Sequence, residues 1–264
     1  IASPSFQSEL KPRGIGEITD DQQFALAIEG VGIDLLNELE DQGYGKPTAD
    51  QLVKLGNHGV RLDYLRGLKE LGYNLKSIDA LIRMRDHGVS LDYIRELKSL
   101  GYGDISAEEL VRVRDHGVTP SYIKEMKQIG LDHPTLDQLV HIRDHGVSSD
   151  YVKEMGEVGL GGHTVDELVQ ARDHGINPDY VKGLNELGFR NLSLDELIRM
   201  RDHGVGPDYI RSLKEAGYTG LSREQLVNLR DHGVSASFIS KMRSKGIKDL
   251  SVDQLIRLRD QGMN

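Results

Sequence analysis

Two glycine series, each repeating every 29 residues, constrain this 264-residue chain more than any other feature. One runs through Gly59, Gly88, Gly117, Gly146, Gly175, Gly204, Gly233 and Gly262. The other runs through Gly14, Gly43, Gly72, Gly101, Gly130, Gly159, Gly188, Gly217 and Gly246. Glycine accepts the left-handed conformation that closes helices. Two closures per unit, with no insertion between them, therefore predict a tandem array of helical hairpins. The expected fold class is all-α: an α-solenoid of stacked two-helix repeats, with about 18 short helices.

Each unit opens on a hydroxyl residue: Thr19, Thr48, Ser77, Ser106, Thr135, Thr164, Ser193, Ser222 or Ser251. Gln or Glu follows three residues later, except at Ala80. This is the pattern of a capping box, in which the hydroxyl takes one orphan amide and the longer side chain returns to the cap's own amide. An acidic residue between them, such as Asp79, Glu108 or Asp137, suits the positive end of the helix dipole.

The second helix starts near Ser90, Thr119, Ser148, Asn177, Gly206 or Ser235, with Pro120, Pro178 and Pro207 in its first turn. It carries an aromatic column: Phe6, Tyr64, Tyr93, Tyr122, Tyr151, Tyr180, Tyr209 and Phe238. With residues such as Ile94 and Leu97, this column forms one apolar stripe. Helices of roughly ten residues are marginal alone, so burial against neighbours must supply their stability.

The expected organisation is one array over 1–264, with a half unit at 1–18, eight full units at 19–250 and a half unit at 251–264. Ser3-Pro4-Ser5-Phe6 aligns with Thr119-Pro120-Ser121-Tyr122, which places a second helix first. Ala27-Ile28-Glu29 replaces the Arg-Asp-His of later units, so the early units read as a weak cap. The chain starts at Ile1 and its last unit looks internal, the pattern expected of a processed chain or a piece of a longer one.

Arg-Asp-His-Gly occurs six times. Its side chains are Arg85, Asp86, His87; Arg114, Asp115, His116; Arg143, Asp144, His145; Arg172, Asp173, His174; Arg201, Asp202, His203; and Arg230, Asp231, His232. One reading is a metal or acid–base site. The favoured reading is structural: Arg and His suit the carbonyl end of the first helix, and Asp there needs a partner, for which Arg of an adjacent unit is the obvious choice. Equivalent histidines one stacking distance apart, ~8–10 Å, are too distant to share a zinc. No catalytic residue, cofactor or metal ligand is assigned.

Variable outward positions Arg83, Arg112, His141, Gln170, Arg199 and Asn228 form a candidate surface ladder for a partner. Arg66, Arg95, Lys124, Lys153, Lys182 and Arg211 form a basic column that a nucleic-acid reader would want. The net charge of −9 favours solvated pairing with Glu96, Glu125 and Glu154 instead. Leu131, Leu160 and Phe189 read as staples under the inter-helix loops. Gly43-Tyr44-Gly45-Lys46 lacks the glycine spacing of a phosphate loop. Cysteine is absent, which removes disulfide and thiolate chemistry. No apolar run approaches the ~18–20 residues that span a bilayer.

Leu110-Val111-Arg112-Val113-Arg114-Asp115-His116-Gly117-Val118-Thr119-Pro120 resembles tandem repeats in the extracytoplasmic tails of bacterial membrane metallopeptidases of the antibiotic-sensing type. The resemblance covers almost the whole chain and concerns the repeat pattern alone. No His-Glu-x-x-His stretch is present, so nothing of the peptidase carries over. It implies a bacterial envelope or secreted setting. The expected function is a non-enzymatic scaffold for protein or peptide binding. The alternatives are a structural protein assembling head to tail into fibres and, more weakly, a nucleic-acid binder.

Overall fold

The computed structural model describes residues 8–131 and 133–263. Among the described residues every regular element is helical and no strand occurs. The first helices of the units are Asp20–Ile28, Ala49–Asn57, Ile78–Asp86, Ala107–Asp115, Leu136–Asp144, Val165–Asp173, Leu194–Asp202, Arg223–Asp231 and Val252–Asp260. The second helices are Ile33–Asp41, Leu62–Glu70, Leu91–Ser99, Pro120–Gln128, Ser149–Glu157, Pro178–Glu186, Pro207–Glu215 and Ala236–Ser244. The fold is an all-α helical repeat of the solenoid type.

The second helix expected to open the chain lies partly outside the described residues, Ser3 to Phe6 among them. Residues 8–10 are helical, and the 3-10 turn Lys11–Arg13 follows. Pro12 in that turn has no amide hydrogen with which to continue an α-helix.

Local chemistry explains both ends of a first helix. Thr19, Thr48, Thr135, Thr164, Ser193, Ser222 and Ser251 each form both halves of the capping box. Ser77 and Ser106 only accept the amide of the third helical residue. Ala80 explains the first case. At Ser106 the expected return bond is lost because Arg112 takes the Glu109 carboxylate with two bonds, at 2.5 and 2.9 Å. At the other end Gly88, at φ 71°, donates to Arg85, and Val89 donates five residues back to Met84 at 2.9 Å. That pair of bonds satisfies carbonyls the helix leaves open and turns Val89, fully buried, into the stack.

The chain divides into two compact units, Ile1–Gln128 and Ile129–Asn264. Their boundary falls at the end of a second helix, in phase with the 29-residue period. Within each, first helices pack on first helices of the next repeat and second helices on second helices. Each layer contributes its stripe to the core: Leu81 and Met84 from one layer, Tyr93, Ile94 and Leu97 from the other, all 5% exposed or less. Second helices approach closely enough that a Cβ on Gly67 would fall 2.3 Å from Leu91 Cδ1. The degenerate opening unit shows in burial too. Phe24 is 68% exposed and Ile28 64%, whereas Ile82 and Val111, at the position of Phe24 in later units, are buried.

Candidate functional site

The Arg-Asp-His residues form ladders between consecutive repeats, with a different pairing from the one expected. In six rungs Asp pairs with His rather than with Arg. His of one repeat pairs through Nδ1 with Asp of the next: His58–Asp86 at 2.5 Å, His87–Asp115 at 2.6 Å, His145–Asp173 at 2.7 Å, His174–Asp202 at 2.9 Å, His203–Asp231 at 2.7 Å and His232–Asp260 at 2.8 Å. The C-cap backbone of each His aims its ring along the stack, towards the last helical residue of the next first helix.

Arg instead reaches back over the aromatic ring of the preceding repeat. Arg85 lies 5.1 Å from the Tyr64 ring centre, Arg114 5.1 Å from Tyr93, Arg172 5.1 Å from Tyr151, Arg201 5.0 Å from Tyr180 and Arg230 4.8 Å from Tyr209. A ring face of negative potential and a weakly hydrated guanidinium explain that choice. Arg85 Nε also donates to the Gly59 carbonyl at 3.2 Å. The glycine therefore supplies positive φ and the space in which the next repeat's arginine lies.

The tyrosines bridge repeats as well as filling the core. Tyr64 donates its hydroxyl to Val89 O, Tyr93 to Val118 O, Tyr151 to Ile176 O, Tyr180 to Val205 O and Tyr209 to Val234 O, at 2.8–2.9 Å. Burial pushes the hydroxyls of Tyr64, Tyr93, Tyr151 and Tyr209 up to about 12, and that of Tyr180 further up.

A second closure, missed by the sequence reading, sits at the end of the second helix. Lys98 lies 5.5 Å from the Tyr73 ring centre and donates to Leu71 O at 2.5 Å; Lys127 does the same over Tyr102, donating to Leu100 O at 2.8 Å. Lys214 caps Leu187 O at 3.0 Å and Arg243 caps Ala216 O at 2.5 Å. The signal is legible within the chain. Where the residue after the second glycine is aromatic (Tyr44, Tyr73, Tyr102, Phe189, Tyr218), a cation stands 25 residues on (Lys69, Lys98, Lys127, Lys214, Arg243). Where it is Leu131 or Leu160, the corresponding residue is Gly156 or Asn185.

The missing closure leaves a groove in the Ile129–Asn264 unit. It measures about 370 Å³ and is lined by Val158, Leu160, Lys182, Asn185, Glu186, Phe189 and Arg190, among others. Asn185 reaches Val158 O only at 3.5 Å. One repeat on, where Lys214 is present, the corresponding groove shrinks to about 240 Å³. Leu160 and Phe189, expected as staples, form part of its wall.

The expected surface ladder is outward-facing: Arg83, His141, Gln170, Arg199 and Asn228 are exposed, and Arg112 is half-buried. Arg83 pairs with Glu108 at 3.0 Å. Arg199 lines only a shallow depression of about 80 Å³. In the basic column, Lys124 meets Glu96 at 3.0 Å as expected, whereas Arg66 meets Glu38 at 2.6 Å, Arg95 meets Asp92 at 2.9 Å and Arg211 meets Asp208 at 2.7 Å. The hydrogen bond from Arg66, then that from Gln42, lowers the Glu38 carboxyl below its usual range.

Among the described residues, no group of three or more His, Cys, Asp and Glu is arranged to hold a metal ion. No helix among them is long and apolar enough to cross a membrane. Fold and ladders together define the class: an α-helical repeat protein whose units are tied by His–Asp, Arg–aromatic and Tyr–carbonyl rungs. No protein-family model matches the chain, and no curated protein matches it at a significant level.

Proposed function

We propose that this chain is a non-enzymatic helical-repeat scaffold that binds a protein or peptide, with the groove beside Leu160, Asn185 and Phe189 as a contact site. The observation that carries the reading is the open closure. Elsewhere Lys98, Lys127, Lys214 and Arg243 donate to a carbonyl at the end of the preceding second helix; Asn185 stands in that place here, beside a concavity with an apolar wall and the charged groups Lys182, Glu186 and Arg190. Pockets of this mixed kind, mainly apolar with a few polar groups that fix orientation, suit side chains of a bound segment. The His–Asp rungs repeat one contact between consecutive units, which supports a structural role for them.

The test restores the seal. A Leu160→Tyr, Asn185→Lys double variant copies the neighbouring repeats and fills the groove. Peptides selected from a displayed library on the native chain should lose binding to this variant, with its helix content unchanged. Equal capture by both forms, or no selection on the native chain, refutes the reading.

Head-to-tail association is the second reading. The packing of first helix on first helix and second on second is directional, so a contact of that kind between copies propagates without closing a ring. A sedimentation coefficient that stays constant over a wide concentration range rules it out. The resemblance noted in the sequence supports an extracytoplasmic bacterial setting, which cell fractionation tests.

A further inference from the structure

One first helix carries a histidine a turn ahead of its rung histidine. The ladder position occupied by Arg83, Arg112, Gln170, Arg199 and Asn228 is His141 here, one helical turn before His145. Residues four apart on a helix face each other, and the two rings meet, with centres 4.6 Å apart at an interplanar angle of 66°. Two imidazoles sharing one zinc through nitrogens at ~2.0–2.1 Å bring their ring centres to roughly 5 Å, close to the separation of this pair.

The pair is also oriented from outside. Asp173 of the next repeat lies 2.7 Å from His145 Nδ1. An ionised carboxylate only accepts, so that nitrogen carries the proton and the lone pair falls on Nε2. A carboxylate behind a histidine in this way is the usual support for a metal-binding imidazole. His141 is exposed, so an ion reaches the pair from solvent.

We propose that His141 and His145 form a two-imidazole site for a divalent transition metal ion, with Asp173 as the positioning residue and water filling the remaining coordination positions. The site lies within one repeat, so the separation between repeats, which argues against a zinc shared along the ladder, does not apply to it. Imidazole ligands and the general affinity order place Cu2+ above Zn2+, with Mg2+ not bound. Nothing in this site depends on the groove or its partner.

Titration calorimetry of the full chain with Cu2+ alone, Zn2+ alone and Mg2+ alone tests the assignment. The expected result is one tightest equivalent for Cu2+, a weaker one for Zn2+ and none for Mg2+. His141→Gln, which copies the side chain of Gln170, should weaken that equivalent at least ~10-fold, and Asp173→Asn by ~10–100-fold. His174→Gln removes a rung histidine with no second imidazole beside it, and should leave the equivalent unchanged. Because His141 is exposed, its replacement leaves the fold intact, and circular dichroism checks this for every variant. Zn2+ should shift the ring resonances of His141 and His145 together in an NMR spectrum. An equivalent indifferent to His141→Gln, or weakened equally by His174→Gln, overturns the proposal.

Discussion

Replacing Tyr180 by Phe isolates one rung of the stack. The hydroxyl donates to the Val205 carbonyl at 2.9 Å; the tyrosine is 4% exposed and Val205 is fully buried. Phe keeps the ring, its apolar contacts and the surface beneath Arg201, 5.0 Å away. The substitution therefore removes a donor and leaves a buried carbonyl short of a partner, which costs about 1–3 kcal/mol. The chain makes the same exchange at Phe238, where Arg259 still lies 5.3 Å from the ring centre, so the ring and cation alone are compatible with stacking. In a repeat stack the loss falls on the interface between two neighbours. Equilibrium unfolding in urea, followed by far-ultraviolet circular dichroism, should show a stability lower by that amount with a nearly unchanged denaturant slope. A change below about 0.5 kcal/mol would mean that the hydroxyl is satisfied equally well without the carbonyl. A loss as large as the ~3–5 kcal/mol typical of deleting a whole aromatic side chain would mean that the ring itself had been displaced.

Alkali should dismantle the stack. The buried hydroxyls of Tyr64, Tyr93, Tyr151 and Tyr209 are pushed up to about 12, against about 10 in the unfolded chain. Folding favours the neutral form, so this stabilisation is complete below about pH 10 and is lost as the pH rises towards 12; tyrosinate absorbance and loss of helix should appear together. Tyrosinate formation in a chain that stays fully helical would contradict the burial argument. Gly146→Val should cost on the order of 1–3 kcal/mol, since φ is +68° there and a β-branched residue is strained; an unchanged melting temperature would remove the assigned closure. Asp231→Ala breaks a His–Asp rung whose side chains are 40% and 43% exposed, and should cost no more than about 1 kcal/mol. A larger loss by denaturant titration would show that the rungs are more than surface pairs.

The helices and their ends were legible because local chemistry sets them. Ser or Thr three residues before Gln or Glu marks one end and glycine the other, and both signals lie within one turn of the backbone they act on. The partner of Asp was not legible in the same way. Arg and His both flank it in each of the six Arg-Asp-His-Gly units, and either could pair with it by charge. What decides is the aromatic ring one repeat back, which claims the guanidinium and leaves His to the carboxylate. The lysine closure was legible after all, in the exchange of Tyr–Lys for Leu131–Gly156 and Leu160–Asn185. Reading each column separately hides it, since it is a correlation between positions 25 residues apart. The contact between His141 and His145 needed the structure. Their spacing places them on one face, but only the approach of Asp173 from the next repeat fixes which nitrogen is free.

A nine-residue helix gains its stability from the layer on either side of it, and this is the claim on which everything else depends. Far-ultraviolet circular dichroism of a peptide spanning residues 193–221, one complete repeat with its capping box and both glycines, measures that dependence directly. The repeat alone should show little helix at temperatures where the full chain remains folded. A peptide that is helical by itself and melts cooperatively would contradict the account.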